Sequence, residues 1–149
     1  MTKIFIGSDH RGFILKNKLK LYLKSKGYNV LDLGPFDAEI SVDYPDYACA
    51  VAKAVSKNKS SRGILICYSG IGNCISANKI PGIRAAVCYN KKLARLAREH
   101  NDTNILVLAA GFVSDKLAKG ILEVWLKTKF AGGRHLRRVR KIERIERKK

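Results

Sequence analysis

Gly63 to Cys67, Gly-Ile-Leu-Ile-Cys, is a short run with three branched apolar side chains that breaks directly into Tyr68-Ser69-Gly70-Ile71-Gly72. A run of this kind, with no polar alternation, fits a strand covered on both faces, as in a parallel sheet. The glycine-bearing turn and a stretch through Asn78 that can be helical complete a strand–turn–helix order. That order aims several backbone N–H groups at one point, where an anion or a developing oxyanion is held. Cys67 sits at the mouth of the nest, and a helix N-terminus lowers a cysteine pKa below its free value of about 8.5. The stretch therefore offers a base or nucleophile beside an oxyanion hole. A strand-end cysteine before a glycine turn is more often packing than catalysis, so spacing alone favours the packing reading.

The rest of the chain repeats the strand–helix alternation. Lys3 to Ser8 reads as a strand, Asp9-His10-Arg11-Gly12 as its turn, and Phe13 to Lys26 as a helix stopped by Gly27. Tyr28 to Leu33 is a second strand, which makes the opening a βαβ unit. After a loop from Gly34 to Asp43, Tyr44 to Lys57 is a helix with Pro45 tolerated in its first turn. Arg84 to Cys88 and Ile105 to Ala109 are the fourth and fifth strands. Asn90 to Glu99 is a helix expected to face Leu93 and Leu96 inward, and Ser114 to Lys127 is a helix with Ser114 as N-cap. His135 to Lys149 spaces Leu136, Val139, Ile142 and Ile145 by threes among charges, a stripe expected to pack on another subunit. These pieces predict one domain over 1–149, an α/β chain with a three-layer α/β/α, Rossmann-like five-stranded parallel sheet. In such sheets ligands bind beyond the carboxyl ends of the strands, where the strand order reverses. Asp9 and His10 follow the first strand and Cys67 ends the third, so two polar clusters converge on that edge.

Charge and cysteine usage bound the partners. The formal net charge of +18 admits nucleic acid, since clustered Lys and Arg release counterions from phosphates. The excess, however, lies in a dense tail from Lys127 onward and on helix faces such as Lys16 to Lys26. Beyond Phe130 no aromatic residues interleave with the tail charges as a stacking platform requires, so a solvated basic tail is favoured over a nucleic-acid surface. With 46% hydrophobic residues over 149 the chain is globular and long enough for a substantial core. No apolar run approaches the ~20 residues of a membrane helix, and the opening residues enter a strand pattern at once, so no membrane partner and a cytoplasmic address are expected. Cys49, Cys67, Cys74 and Cys88 have neither a CxxC pair nor zinc-ribbon spacing, which favours reduced thiols over a metal site built from Cys67, Cys74 and a histidine.

Gly7-Ser8-Asp9-His10 with Gly12, Asp43-Tyr44-Pro45, Cys67 with Ser69-Gly70-Ile71-Gly72, Ala77-Asn78-Lys79, Gly82-Ile83-Arg84-Ala85, His100-Asn101-Asp102-Thr103-Asn104 and Gly132-Gly133-Arg134-His135 occur in that order. Together they resemble the type B ribose-5-phosphate isomerase family, whose relatives act on galactose 6-phosphate or allose 6-phosphate. The resemblance spans nearly the whole chain. It implies an aldose–ketose isomerase that works without metal or other cofactor through a cis-enediolate, interconverting ribose 5-phosphate and ribulose 5-phosphate in the pentose phosphate pathway. A hexose 6-phosphate isomerase on the same scaffold is the near alternative, and a basic polyanion- or RNA-binding module with idle catalytic residues the distant one.

By the same resemblance Cys67 is the base that takes the proton next to the carbonyl, and Tyr68, Ser69, Gly70, Ile71 and Gly72 contact the substrate and steady its oxyanion. His100 opens the sugar ring and donates a proton, and Asn101 binds substrate. Asp9 and His10 contact the sugar, and Arg134 and Arg138 hold the phosphate, for which a guanidinium fork is suited. His135 is a further candidate for that pocket. Some relatives place a glutamate base at the position of Asn73, which leaves the role to Cys67 here. The implied assembly is a homodimer with shared active sites, or a higher assembly of it, in which His100, Asn101, Arg134 and Arg138 reach the neighbour's pocket. Two positions depart from the family pattern. Tyr68 replaces a glycine, which would strain the turn if it required positive φ. Gly111 replaces an arginine for the phosphate, which is expected to weaken substrate binding or to pass the load to another base such as Arg137 or Lys79.

Overall fold

The computed structural model describes residues 2–148. Its elements are β1 (Lys3–Ser8), α1 (Phe13–Ser25), β2 (Asn29–Asp32), α2 (Tyr44–Lys57), β3 (Arg62–Cys67), α3 (Ile71–Ala77), β4 (Ala85–Val87), α4 (Lys91–Asn101), β5 (Ile105–Ala109), α5 (Asp115–Lys127) and α6 (Arg134–Arg147). The strands form one sheet in the order β2-β1-β3-β5-β4, with every pair parallel. The order reverses between β1 and β3. This is the expected three-layer α/β/α, Rossmann-like sheet.

Period-two alternation explains why both faces of the sheet are covered. Ile64 and Ile66 of β3 point to the layer of α1, α4 and α5, where Leu15, Leu19, Ala94, Ile121 and Trp125 are buried. Leu65 points to the other layer, against Val51, Ala52 and Val55 of α2 and Ala77 of α3. Burial on both sides is why the strands read as unbroken apolar runs. Trp125 resolves its one polar group by donating its indole N–H to Thr103 Oγ1 at 2.9 Å.

The structure departs from the sequence reading in particular places. In α4 the buried residues are Ala94, Ala97 and Arg98, while Leu93 is exposed. Small side chains let α4 lie close to its neighbours, and the Arg98 guanidinium is admitted because Asp102, at 2.9 Å, and the Thr103 carbonyl take its donors. Lys16 is not part of a solvated face. It is fully buried, 2.8 Å from Asp32, and donates to the Pro35 carbonyl, so it ties α1 to the loop after β2. Burial pushes its pKa down against the opposing pull of Asp32. The last helix begins at Arg134 and is described to Arg147; Lys149 lies outside the described residues. It rests on α4 through Val139, and leaves Ile142 and Ile145 exposed.

Candidate active site

The carboxyl edge of the sheet gathers the first group of predicted residues. Gly12 makes this possible: a Cβ there would overlap the Ile66 carbonyl, so only glycine lets the turn after β1 close onto the end of β3. Asp9 is thereby buried beside Cys67, close enough that its charge acts on the thiol. One Asp9 carboxylate oxygen accepts from the Gly12 N–H at 2.9 Å, so the residue does shape its own turn. His10 is fixed from the other side, its Nδ1 accepting from the Val42 N–H at 3.1 Å, which places the remaining N–H on Nε2. The long loop after β2 therefore leans on this edge.

Cys67 ends β3 at 4% exposure, with the Gly70 N–H 3.2 Å from its Sγ. The N–H groups of Asn73 and Ser69 also favour the thiolate. Gly70 carries φ 80°, and a Cβ on it would lie 2.6 Å from Val87 Cγ2, so the turn requires glycine twice over. Burial nonetheless outweighs these donors, and with Asp9 nearby it pushes the thiol pKa up. The expectation of a depressed value is thus corrected. α3 is only seven residues long and its dipole does not compensate for removing the sulfur from water. Tyr68 escapes the expected strain, since the one non-glycine with positive φ among the described residues is Asp102.

His100, Asn101, Arg134 and Arg138 form a separate group. His100 and Asn101 end α4, which returns the chain from β4 to the start of β5. Cys67 pairs in register with Ala109 at the far end of β5, whereas Gly63 pairs with Ile105 at its beginning. The two groups therefore lie at opposite ends of the strands, separated by the length of β5, roughly 13 Å or more. His100 stacks on His135 with ring centroids 4.2 Å apart and planes 10° from parallel. Partial desolvation, His100, Arg134 and Arg138 together push the His135 pKa down. His135 amid Arg134 and Arg138 makes a donor-rich corner suited to a dianion.

Three further side chains hold the first edge, and sequence reasoning gave none of them a part in holding it. Tyr89 donates its hydroxyl to the Ser69 carbonyl at 2.8 Å and so holds the turn. Tyr44 packs its ring where a side chain on Gly72 would be. Asn73 is fully buried beside the thiol, its side-chain amide without a hydrogen-bond partner. Only the last left a signal, a lone amide where a helix begins among apolar residues. Among the described residues no group of three or more His, Cys, Asp or Glu is placed to hold a metal ion, the four cysteines are free, and no helix is long and apolar enough to cross a membrane.

A parallel sheet whose switch point carries a thiol, a carboxylate and an imidazole has the Rossmann-like α/β frame, with groups of the kind that can move protons. The model of the Ribose/Galactose Isomerase family matches residues 4–142. Ribose-5-phosphate isomerase B of Escherichia coli is 46% identical over 149 residues, covering 100% of this chain and 99% of that one. The structure of ribose-5-phosphate isomerase B from Clostridium thermocellum superposes with a TM-score of 0.96 at 53% identity, covering 99% of each chain. That of the Mycoplasma genitalium enzyme with bound ribulose-5-phosphate superposes at 0.97 and 46% identity, covering 99% of this chain and 98% of that one. The chain belongs to the ribose/galactose isomerase family.

Proposed function

We propose that the protein interconverts ribose 5-phosphate and ribulose 5-phosphate, with Cys67 as the base. The observation that carries this reading is the Sγ of Cys67 held beneath backbone N–H groups on the same edge as Asp9 and His10, in a fold shared at 46% identity with a relative that binds ribulose-5-phosphate. Removal of the proton from C2 of the open aldose leaves an enediolate whose charge rests on the oxygens at C1 and C2. Return of the proton from the Cys67 thiol to C1 completes the ketose. Free N–H groups of the Tyr68–Gly72 turn steady the charge as it forms, and one such donor is commonly worth about 3 to 4 kcal/mol. Asp9, His10 and the Ser69 hydroxyl fix the sugar.

His100 opens the ring and moves protons on oxygen, Asn101 binds the sugar, and Arg134 and Arg138 clamp the phosphate. These groups serve the pocket of a second copy. Their separation from Cys67 within one chain supports a homodimer with shared active sites, since a two-fold axis brings opposite sheet ends together. The exposed Ile142 and Ile145 beside a cavity of about 390 Å³ that Ile83, Ala85 and Asn101 also line supply an apolar face for α6. The step lies in the pentose phosphate pathway and is cytoplasmic, in keeping with free thiols. The +18 charge by itself favours no RNA-binding reading, because its densest part is a helix already committed to the phosphate corner and the interface.

The test is incubation of the purified protein with ribose 5-phosphate and allose 6-phosphate in parallel while ketose formation is followed. Rapid conversion of the pentose, slow conversion of the hexose and no effect of chelators are expected. Turnover of the hexose alone would reassign the substrate.

A further inference from the structure

Four side chains cross the carboxyl edge in a row beside Cys67. The Arg11 guanidinium lies 4.9 Å from the centre of the Tyr68 ring, Tyr68 meets Phe112 edge-on at 5.6 Å, and Phe112 meets Tyr89 edge-on at 6.2 Å. Tyr68 can lie there only because position 111 is glycine: a Cβ on Gly111 would overlap the Tyr68 ring. Residues after β1, β3 and β5, neighbours in the sheet, thus form one packed unit whose outer end is a guanidinium. Arg11 is exposed, and among the described residues it makes no ion pair and no side-chain hydrogen bond. A guanidinium that contacts an aromatic ring is attracted through the ring's π face and keeps in-plane N–H groups for an oxyanion. Restricting the arginine on the ring lowers the ordering cost of binding.

We propose that Arg11 is a phosphate-binding residue of the Cys67 side of the pocket, and that Tyr68 and Gly111 are the positioning pair that sets it there. The proposal rests on the phosphosugar reading above. It differs from the expectation that Arg137 or Lys79 takes up the load of position 111. Arg137 belongs to α6 and Lys79 follows α3, whereas the guanidinium over the Tyr68 ring is that of Arg11. Phosphate is then gripped from two sides, by Arg11 of one copy and by the arginine corner of the other.

The experiment compares wild type with Arg11→Ala, Arg11→Lys and Gly111→Ala, measuring KM and kcat for ribose 5-phosphate and, separately, the affinity for inorganic phosphate by titration calorimetry. Arg11→Ala raises KM about tenfold or more, as expected for a lost hydrogen bond to a charged group. It weakens inorganic phosphate by a similar factor and leaves kcat within about twofold. Arg11→Lys recovers part of the loss, because the charge stays while the fork and its stacking are removed. Gly111→Ala displaces the tyrosine and reproduces the direction of Arg11→Ala, with unchanged melting temperatures certifying that all variants are folded. Unaltered KM and phosphate affinity in Arg11→Ala overturn the proposal, as does a fall in kcat at constant KM. If wild type fails to isomerise ribose 5-phosphate, the substrate reading fails instead, and the phosphate titration alone decides the role of Arg11.

Discussion

The Cys67 edge and the His100 corner contrast in how each is held. At the first, backbone does the positioning: Gly12 closes one turn onto β3, Gly70 bends another, and Tyr89 anchors the Ser69 carbonyl. Cys67, Asp9 and Asn73 are consequently buried in a single chain. At the second, side chains at helix ends do the work, and Asn101, Arg134 and Arg138 stand exposed around two stacked imidazoles. One region is a thiol, a carboxylate and an amide already fixed by the backbone, while the other is an exposed set of charges and amides that the proposed function pairs with another surface. On the proposed function, preorganisation in the first serves proton transfer and exposure in the second serves assembly.

The contrast yields a ranked series of measurements. Cys67→Ala removes the proposed base and should lower kcat by about a thousandfold, within the range for general bases, with the far-ultraviolet spectrum unchanged. Retained turnover would dissolve the catalytic reading of the buried edge. His100→Ala should lower kcat about a hundredfold with ribose 5-phosphate, whose ring must open, since general acid–base groups contribute about that or more. Arg138→Ala should act on the other parameter, raising KM about tenfold and weakening inorganic phosphate while kcat holds. If kcat falls instead, the corner is not a binding site.

Acidity separates the regions too. Because burial raises the Cys67 pKa, little thiolate exists near neutrality in the free enzyme, so kcat/KM should climb with pH from 7 past the free-thiol value of about 8.5. A plateau below pH 7 would mean a depressed thiol. A separate effect is on stability. Cys88, pushed by burial up to about 12, keeps its proton in the fold after the unfolded chain has lost it. Its contribution is fully present below about pH 8.5 and is lost as pH rises toward 12, by at most about 1.4 kcal/mol per pH unit. Urea titrations across that window should report the loss, and Cys88→Ala should flatten it.

The strands and the Cys67 edge were legible in the sequence for one reason: apolar runs and glycine turns are local signals with few alternatives. Ser114 as a cap was legible for the same reason, its hydroxyl accepting from the Leu117 N–H at 3.1 Å. Lys16 was not, because the sequence gives no sign of which lysine in a row meets Asp32. Leu93 misled, since propensity favoured leucine inside where close helix contact selected alanine. The thiol pKa was misjudged because the sequence displays the turn's donors and conceals the depth of burial. Most instructive are Tyr68 and Gly111, which look like two separate departures along the chain. In space the ring of one fills the place of the other's missing side chain, a relation that only the β3–β5 pairing creates.

On the proposed function, the two regions of one chain serve different pockets. It is tested most directly by unfolding and refolding Cys67→Ala and His100→Ala together. Random pairing puts half the chains in mixed dimers with one intact pocket of two, so activity should return to about a quarter of wild type from two nearly inactive parents. Activity that stays at the average of the parents, with mixed dimers verified by mass, would contradict it and place both residues in the same pocket of a single chain.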